Sequence, residues 1–422
     1  MSNPQLAAQL LFQLACLLLA CRAMGWLAAK VRQPQVVGEM VAGFLLGPSF
    51  LGLLAPEIKT MLFPQASMSA LYVISQIGLV LYMFCVGMEF RISVLLQHRR
   101  AAVAISAAGI VVPFVLGGML AYRLLEREGL FPAGVRDVHA VVFIAAAMSI
   151  TAFPMLARII SERGIAGTLV GSLALAAGAA GDATAWIILA MVSSLLTQDN
   201  LPALFAVGGA LLYGVAVFMG LRPLMAKLAA QVTRQDSIPP SILTMALCLL
   251  AFGSWFTELV GLHAVFGAFL LGVAVPRGPL TAGLRRTIEP LTSSLLVPLF
   301  FVYSGLNSQV TLVNTGVLWA ITLTIFLTAC AGKGVGCWAA ARVMGVRSRD
   351  ALGVAALMNC RGMVELILLN IGLQQGLITP TLFTMMVLMA IGTTVMTGPL
   401  FGYVWNRSNE PVMDPSLAAD PR

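Results

Sequence analysis

Charge is the scarcest ingredient of this chain: only 10% of its 422 residues are Asp, Glu, Lys or Arg, against about 25% in a soluble domain. A water-soluble globular fold is thereby excluded. Reactive constellations are missing too. The seven cysteines show neither CxxC nor zinc-ligand spacing and read as small buried hydrophobes. No Walker loop, GxGxxG turn, Ser-His-Asp set or zinc motif is present, so ATP drive and covalent catalysis are unsupported, and no enzyme or cofactor is expected. No Lys or Arg precedes the first apolar run, Leu6 to Ala20, and the first basic residue, Arg22, follows it. A cleavable signal has the opposite order, so that run is expected to be a retained span.

What is abundant is apolar: 59% of residues are hydrophobic, and the mean hydropathy is +0.94. The runs are long and do not alternate as barrel strands would. The expected fold is an all-α polytopic membrane protein. Thirteen candidate spans lie near 5–27, 35–53, 69–90, 101–123, 138–160, 167–196, 202–225, 239–257, 261–276, 291–307, 314–341, 351–373 and 379–404. Nineteen of the 25 Lys and Arg fall in loops after odd-numbered spans or in the tail, and four in the opposite loops. By the positive-inside rule the N-terminus is outside and the C-terminus cytoplasmic, in an inner or plasma membrane. The net charge of +8 then serves orientation and contact with anionic lipid, not nucleic acid.

An odd count admits a six-plus-one-plus-six plan, with spans 1–6 and 8–13 as inverted repeats joined by span 7. Transporters are often built this way, with discontinuous helices at the binding site. Residues 1–404 form one transporter unit on this plan, and 405–422 a short cytoplasmic tail.

A charge inside the membrane costs about 3 kcal/mol or more and needs a partner or water. Asp182 is the sharpest case, since no other charge lies between Gly164 and Gln198. Burial disfavours an ionised carboxylate and a bound cation restores it, so one group can hold either H+ or a monovalent cation. Just upstream, Ser149, Thr151 and Pro154 interrupt span 5. A proline removes a helix bond and clashes with the carbonyl four residues earlier, here Ile150. Freed carbonyls and the two hydroxyls are expected to offer neutral oxygens to a transient Na+ or K+ at Asp182. Lys333 sits between glycines deep in span 11. Arg361 and Glu365, four apart in span 12, can pair across one turn and brace an unwound segment. Glu39, near the cytoplasmic end of span 2, reads as interfacial. Glu89, near Arg91, and Glu258 read as solvated or paired, and His263 as a hydrogen-bonded packing residue.

The stretches PQVVGEMVAGFLLGPSFLG, GLVLYMFCVGMEF, SITAFPMLARIISERG, GDATAWIILA, GLHAVFGAFLLGV and LMNCRGMVELILLNIG resemble the monovalent cation:proton antiporter-2 family, with Kef-type bacterial and plant cation/proton exchangers among its members. The resemblance implies a sodium/proton antiporter-like fold and a homodimer. Spans 1–3 and 8–10 would dimerise, spans 4–6 and 11–13 would form an elevator-like core, and spans 5 and 12 would cross. It also implies that Asp182 carries the ion and proton, that Thr151 is an adjacent ligand, and that Lys333 faces the acid. Gly181 departs from relatives with a polar residue before the aspartate, so Lys333 lacks a second carboxylate there. A chain of this length is expected to lack the nucleotide-sensing domain of Kef-type relatives. The same fold carrying an organic anion, and a passive channel, are the alternative readings.

Overall fold

The computed structural model describes residues 3–31, 33–89, 99–197, 201–231, 238–306 and 312–404; the tail at 405–422 and Arg91 lie outside them. The regular elements of the described residues are helices. In chain order they are α1 (Asn3–Lys30), α2 (Gln35–Leu46), α3 (Leu51–Leu54), α4 (Pro56–Leu62), α5 (Gln65–Glu89), α6 (Arg99–Leu124), α7 (Asp137–Ser149), α8 (Phe153–Glu162), α9 (Leu169–Thr197) and α10 (Leu201–Val215). A π-helical turn, Ala216–Leu221, joins α10 to α11 (Arg222–Gln231). Then come α12 (Pro240–Leu259), α13 (Ala264–Ala274), α14 (Pro279–Leu291), a second π-turn (Thr292–Leu296), α15 (Val297–Leu306), α16 (Gly316–Val343), α17 (Ser348–Met358), α18 (Met363–Gln374) and α19 (Pro380–Val404).

Every one of the thirteen apolar segments is helical, but nine helices of the described residues are long and apolar enough to cross a membrane, with Leu169–Gly181 and Ala264–Ala274 as shorter apolar pieces. Of the remaining segments, 261–276 and 291–307 hold helices of 11 and 10 residues, and 351–373 is divided. An 11-residue helix such as α13 is only about 16 Å long. The pair α17 and α18 is split by a non-helical stretch.

Chain chemistry places several of these ends. Pro56, Pro154, Pro240 and Pro279 stand in first helical turns, where a missing N–H costs no helix bond. Both α8 and α18 stop at a glycine with positive φ, Gly164 at 63° and Gly376 at 68°. The bonds Ile165 N to Ile160 O (3.1 Å) and Leu377 N to Gly372 O (2.8 Å) close those ends, as in a Schellman cap. At the start of α13, His263 adopts φ 29° and its Nδ1 accepts from Val265 N at 3.4 Å. The Glu258 carboxylate accepts from Ala264 N at 2.7 Å. Both side chains therefore satisfy helix-start donors.

Helices α1, α2, α5, α13 and α15 pack among themselves, as do α6, α7, α9, α16, α17 and α19; α8 reaches across to α2 and α5. Side chains such as Leu19, Val115, Leu212 and Phe252 point outward, as lipid-facing residues do when every backbone group is satisfied within its own helix. Glycines set the closest approaches. A Cβ on Gly272 of α13 would overlap the Phe84 carbonyl oxygen of α5, and one on Gly87 would overlap that of Phe269. We expect Gly272→Ala to cost about 1–3 kcal/mol by overpacking, read as a lower thermal unfolding midpoint in detergent. Gly208→Ala, with nothing within 4 Å of the new Cβ, should gain up to about 1 kcal/mol. Equal midpoints for the two variants would show that the α5–α13 contact has room to spare.

Candidate functional site

Two helices are interrupted, and they meet at their interruptions. After α7 the backbone turns extended, with Ile150 at φ −66°, ψ 140° and Ala152 at φ −80°, ψ 88°. Pro154 belongs to the first turn of α8, so it starts the second half-helix and does not kink a continuous one. That corrects the expected clash with Ile150. The other break, 359–362, contains no proline. Gly362 is extended there, at φ −177° and ψ −147°. Ala152 N donates to Cys360 O at 3.2 Å. A Cβ on Gly362 would come within 2.8 Å of the Ala152 Cβ, so only glycine fits this contact without displacement.

A broken helix leaves orphan carbonyls at its carboxyl end, with partial negative charge. Here two buried basic side chains cover them. Arg361, 1% exposed, donates from Nη1 to Ala147 O (3.2 Å) and Ile150 O (3.4 Å), and from Nη2 to Met148 O (2.6 Å). Lys333, fully buried, donates from Nζ to Ser149 O. The Ser149 and Ile150 carbonyls, expected to offer oxygens to an ion, each accept from a protein donor, which leaves each one lone pair. The Ser149 hydroxyl donates to Ala146 O at 2.7 Å. Ser149 and Thr151 are both buried in this region, at 3% and 2% exposure.

Glu365 completes the arrangement. Its Oε1 lies 3.3 Å from Arg361 Nη1, one turn along, and its Oε2 is buried with no hydrogen bond among the described residues. The peptide of Arg361 finds its missing helix partners in one side chain of α19. Thr394 Oγ1 accepts from Arg361 N (3.0 Å), and its one hydrogen faces both Arg361 O (2.7 Å) and Ala390 O (2.8 Å). Sequence reading did not single out Thr394. The cluster Thr393, Thr394 and Thr397 in an apolar helix was its only trace.

Asp182 lies on α9, but its side chain is outside the described residues. The backbone of α9 packs on α7, α8 and α17. At Gly178 an added Cβ would meet the Leu156 side chain at 2.6 Å and that of Phe153 at 3.4 Å. The sequence therefore brings Ser149, Thr151, Lys333, Arg361 and Glu365 to one crossing, with the helix that bears Asp182 against it.

Two other carboxylates fall differently from expectation or in new company. Glu39 is not interfacial: it is 0% exposed, with Arg158 Nη2 at 3.7 Å. Its neighbour α8 supplies the cover, which the run around Glu39 does not reveal. Glu89 pairs with Arg285, a partner about two hundred residues away that local sequence could not suggest. The cysteines of the described residues are unbridged.

The chain matches, over residues 16–407, the family described as sodium/hydrogen exchanger, transmembrane. It is 38% identical over 381 residues to the Na(+)/H(+) antiporter NhaS4 of Synechocystis sp., covering 90% of this chain and 93% of that one. It is 32% identical over 407 residues to the K(+)/H(+) antiporter 1 of Saccharomyces cerevisiae, covering 94% of this chain and 46% of that one. The chain thus spans about half the length of that relative and of the plant relatives it matches. Its fold is similar to that of the sodium proton antiporter MjNhaP1 from Methanocaldococcus jannaschii, with a TM-score of 0.66, 17% identity and coverage of 94% and 98%. Crossed half-helices, buried counter-charges and these matches agree: the chain belongs to the sodium/hydrogen exchanger transmembrane family.

Proposed function

We propose that this protein is a secondary-active antiporter exchanging a monovalent cation, Na+ or K+, for H+ by alternating access at Asp182. The observation that carries the proposal is the crossing itself, where Arg361 from the break in α17–α18 and Lys333 from α16 both donate to the carboxyl end of α7. Position 178 of α9 faces Phe153 and Leu156. Four residues on, position 182 shares that face and lies about 6 Å further along. Because α9 returns alongside α8 after a tight connection, that step reaches the level of the break at 150–152. An acid there, with the Thr151 and Ser149 hydroxyls as neutral oxygens, suits a dehydrated monovalent ion. Arg361, paired with Glu365, is the fixed charge of the crossing, and Lys333 is the basic side chain on the Ser149 carbonyl beside it.

The packing sets suggest the moving parts. The α6, α7–α9 and α16–α19 assembly would slide as a core against the α1, α2, α5 and α12–α15 scaffold, which would also form a homodimer. The excess of basic residues in alternate loops supports an N-terminus outside and a C-terminus in the cytoplasm. Reconstituted protein with membrane potential clamped is expected to move H+ against Na+ or K+ gradients, read with a pH dye. Flux tied to an organic solute, or ion flux without H+ coupling, would overturn the assignment.

A further inference from the structure

A second buried acid lies outside the crossing. Glu39 of α2 is fully buried, and neither of its carboxylate oxygens has a hydrogen bond among the described residues. Its neighbour Arg158 stands 3.7 Å away and directs Nε to Glu162 instead, at 2.8 Å. Glu162 in turn accepts from Gln35 N at 2.6 Å. An acceptor-only group with open lone pairs, left without a donor when a guanidinium is so close, is costly unless something else fills its shell.

A cavity adjoins it, which the carboxylate oxygens meet on a change of rotamer. Glu39 lines a cavity of about 360 Å³ together with Arg22, Arg158, Ser161, Ser293 and Ser294. At about 30 Å³ per water the cavity has room for a hydrated ion. It sits where α8 touches α2, at helix ends that the charge distribution assigns to the cytoplasm. Arg158 is five residues from the first residue of α8, so this acid lies about 7–8 Å along that half-helix from the crossing. The lining carries three carboxylates, Glu39, Glu162 and Glu289, against two guanidiniums, Arg22 and Arg158, so its charge balance favours a cation over an anion. Hard monovalent cations want what the site offers, carboxylate and hydroxyl oxygens with water.

We infer that Glu39 and this cavity form a second cation site, a staging position on the route between the cytoplasm and Asp182. The identity of the cation rests on the exchanger reading; the existence of the site does not. Equilibrium binding of 86Rb+ and 22Na+ to the purified full chain tests it. Wild-type protein should bind two ions per chain, Asp182→Asn one, and the Asp182→Asn, Glu39→Gln double variant none. Glu39→Asp, which keeps the charge on a shorter stem, should bind one ion roughly tenfold more weakly than wild type. Complete loss of saturable binding in Asp182→Asn, or unchanged binding in both Glu39 variants, would overturn the site. One ion in wild type and in Asp182→Asn, lost in Glu39→Gln, would support this site and refute Asp182 as the ion carrier. The Asp182→Asn arm leaves Glu39 untouched, so the test does not depend on the Glu39 variants folding.

Discussion

Replacing Asp182 with Asn is expected to reduce Na+- or K+-driven proton movement to the level of empty proteoliposomes. The substitution keeps shape and hydrogen-bonding size but removes the only group in its span that can alternate between a proton and a cation. A full charge about 4 Å from a monovalent ion is worth about 4 kcal/mol at an effective dielectric of 20, or about a thousandfold in affinity. No neighbour replaces that loss, because the other charged groups at the crossing are committed. Lys333 and Arg361 are basic side chains, and Glu365 is tied to Arg361. The variant should still fold, since an amide fits where a carboxylate did, and an unchanged size-exclusion profile would establish this. Cation-dependent dequenching at the wild-type rate in folded Asp182→Asn would refute the site.

The second large effect is structural. Arg361→Leu should lower stability by about 3–5 kcal/mol, the typical cost of stripping one partner from a buried ion pair. Glu365 would be left uncompensated at 0% exposure, and the Ala147, Met148 and Ile150 carbonyls would lose a donor. These losses share one side chain and do not add. Adding Glu365→Leu should restore part of the midpoint lost in thermal unfolding, because removing both charges is far cheaper than removing one. Arg361→Lys should fall between, since one ammonium cannot span three carbonyls as the planar guanidinium fork does. If Arg361→Leu unfolds at the wild-type temperature, the half-helix end is held by something else.

Much of this was legible along the chain because membrane solvation is a local constraint. Long apolar runs, loop charge asymmetry and the isolated charges Lys333, Arg361 and Glu365 each stand out against lipid-facing residues. The i, i+4 spacing of Arg361 and Glu365 was enough to predict their pairing. Pro154 marked where span 5 would divide, although a helix start and an internal kink share the same local signature.

Other features were invisible for a physical reason. Thr394, which satisfies the peptide groups at the break in span 12, is 33 residues from Arg361. Glu39 looked interfacial because burial by α8 is a matter of tertiary packing. Glu89 had a nearer basic residue in sequence than the one it meets.

By itself the amino-acid sequence determined the helical class, the apolar segments and which charges had to be accommodated out of water, because each follows from the cost of exposing a residue to lipid. The tertiary structure alone decided which carbonyls Arg361 and Lys333 cover, and it alone buried Glu39 beside a cavity. Those outcomes depend on where distant helices come to rest, and no spacing within a single segment encodes that.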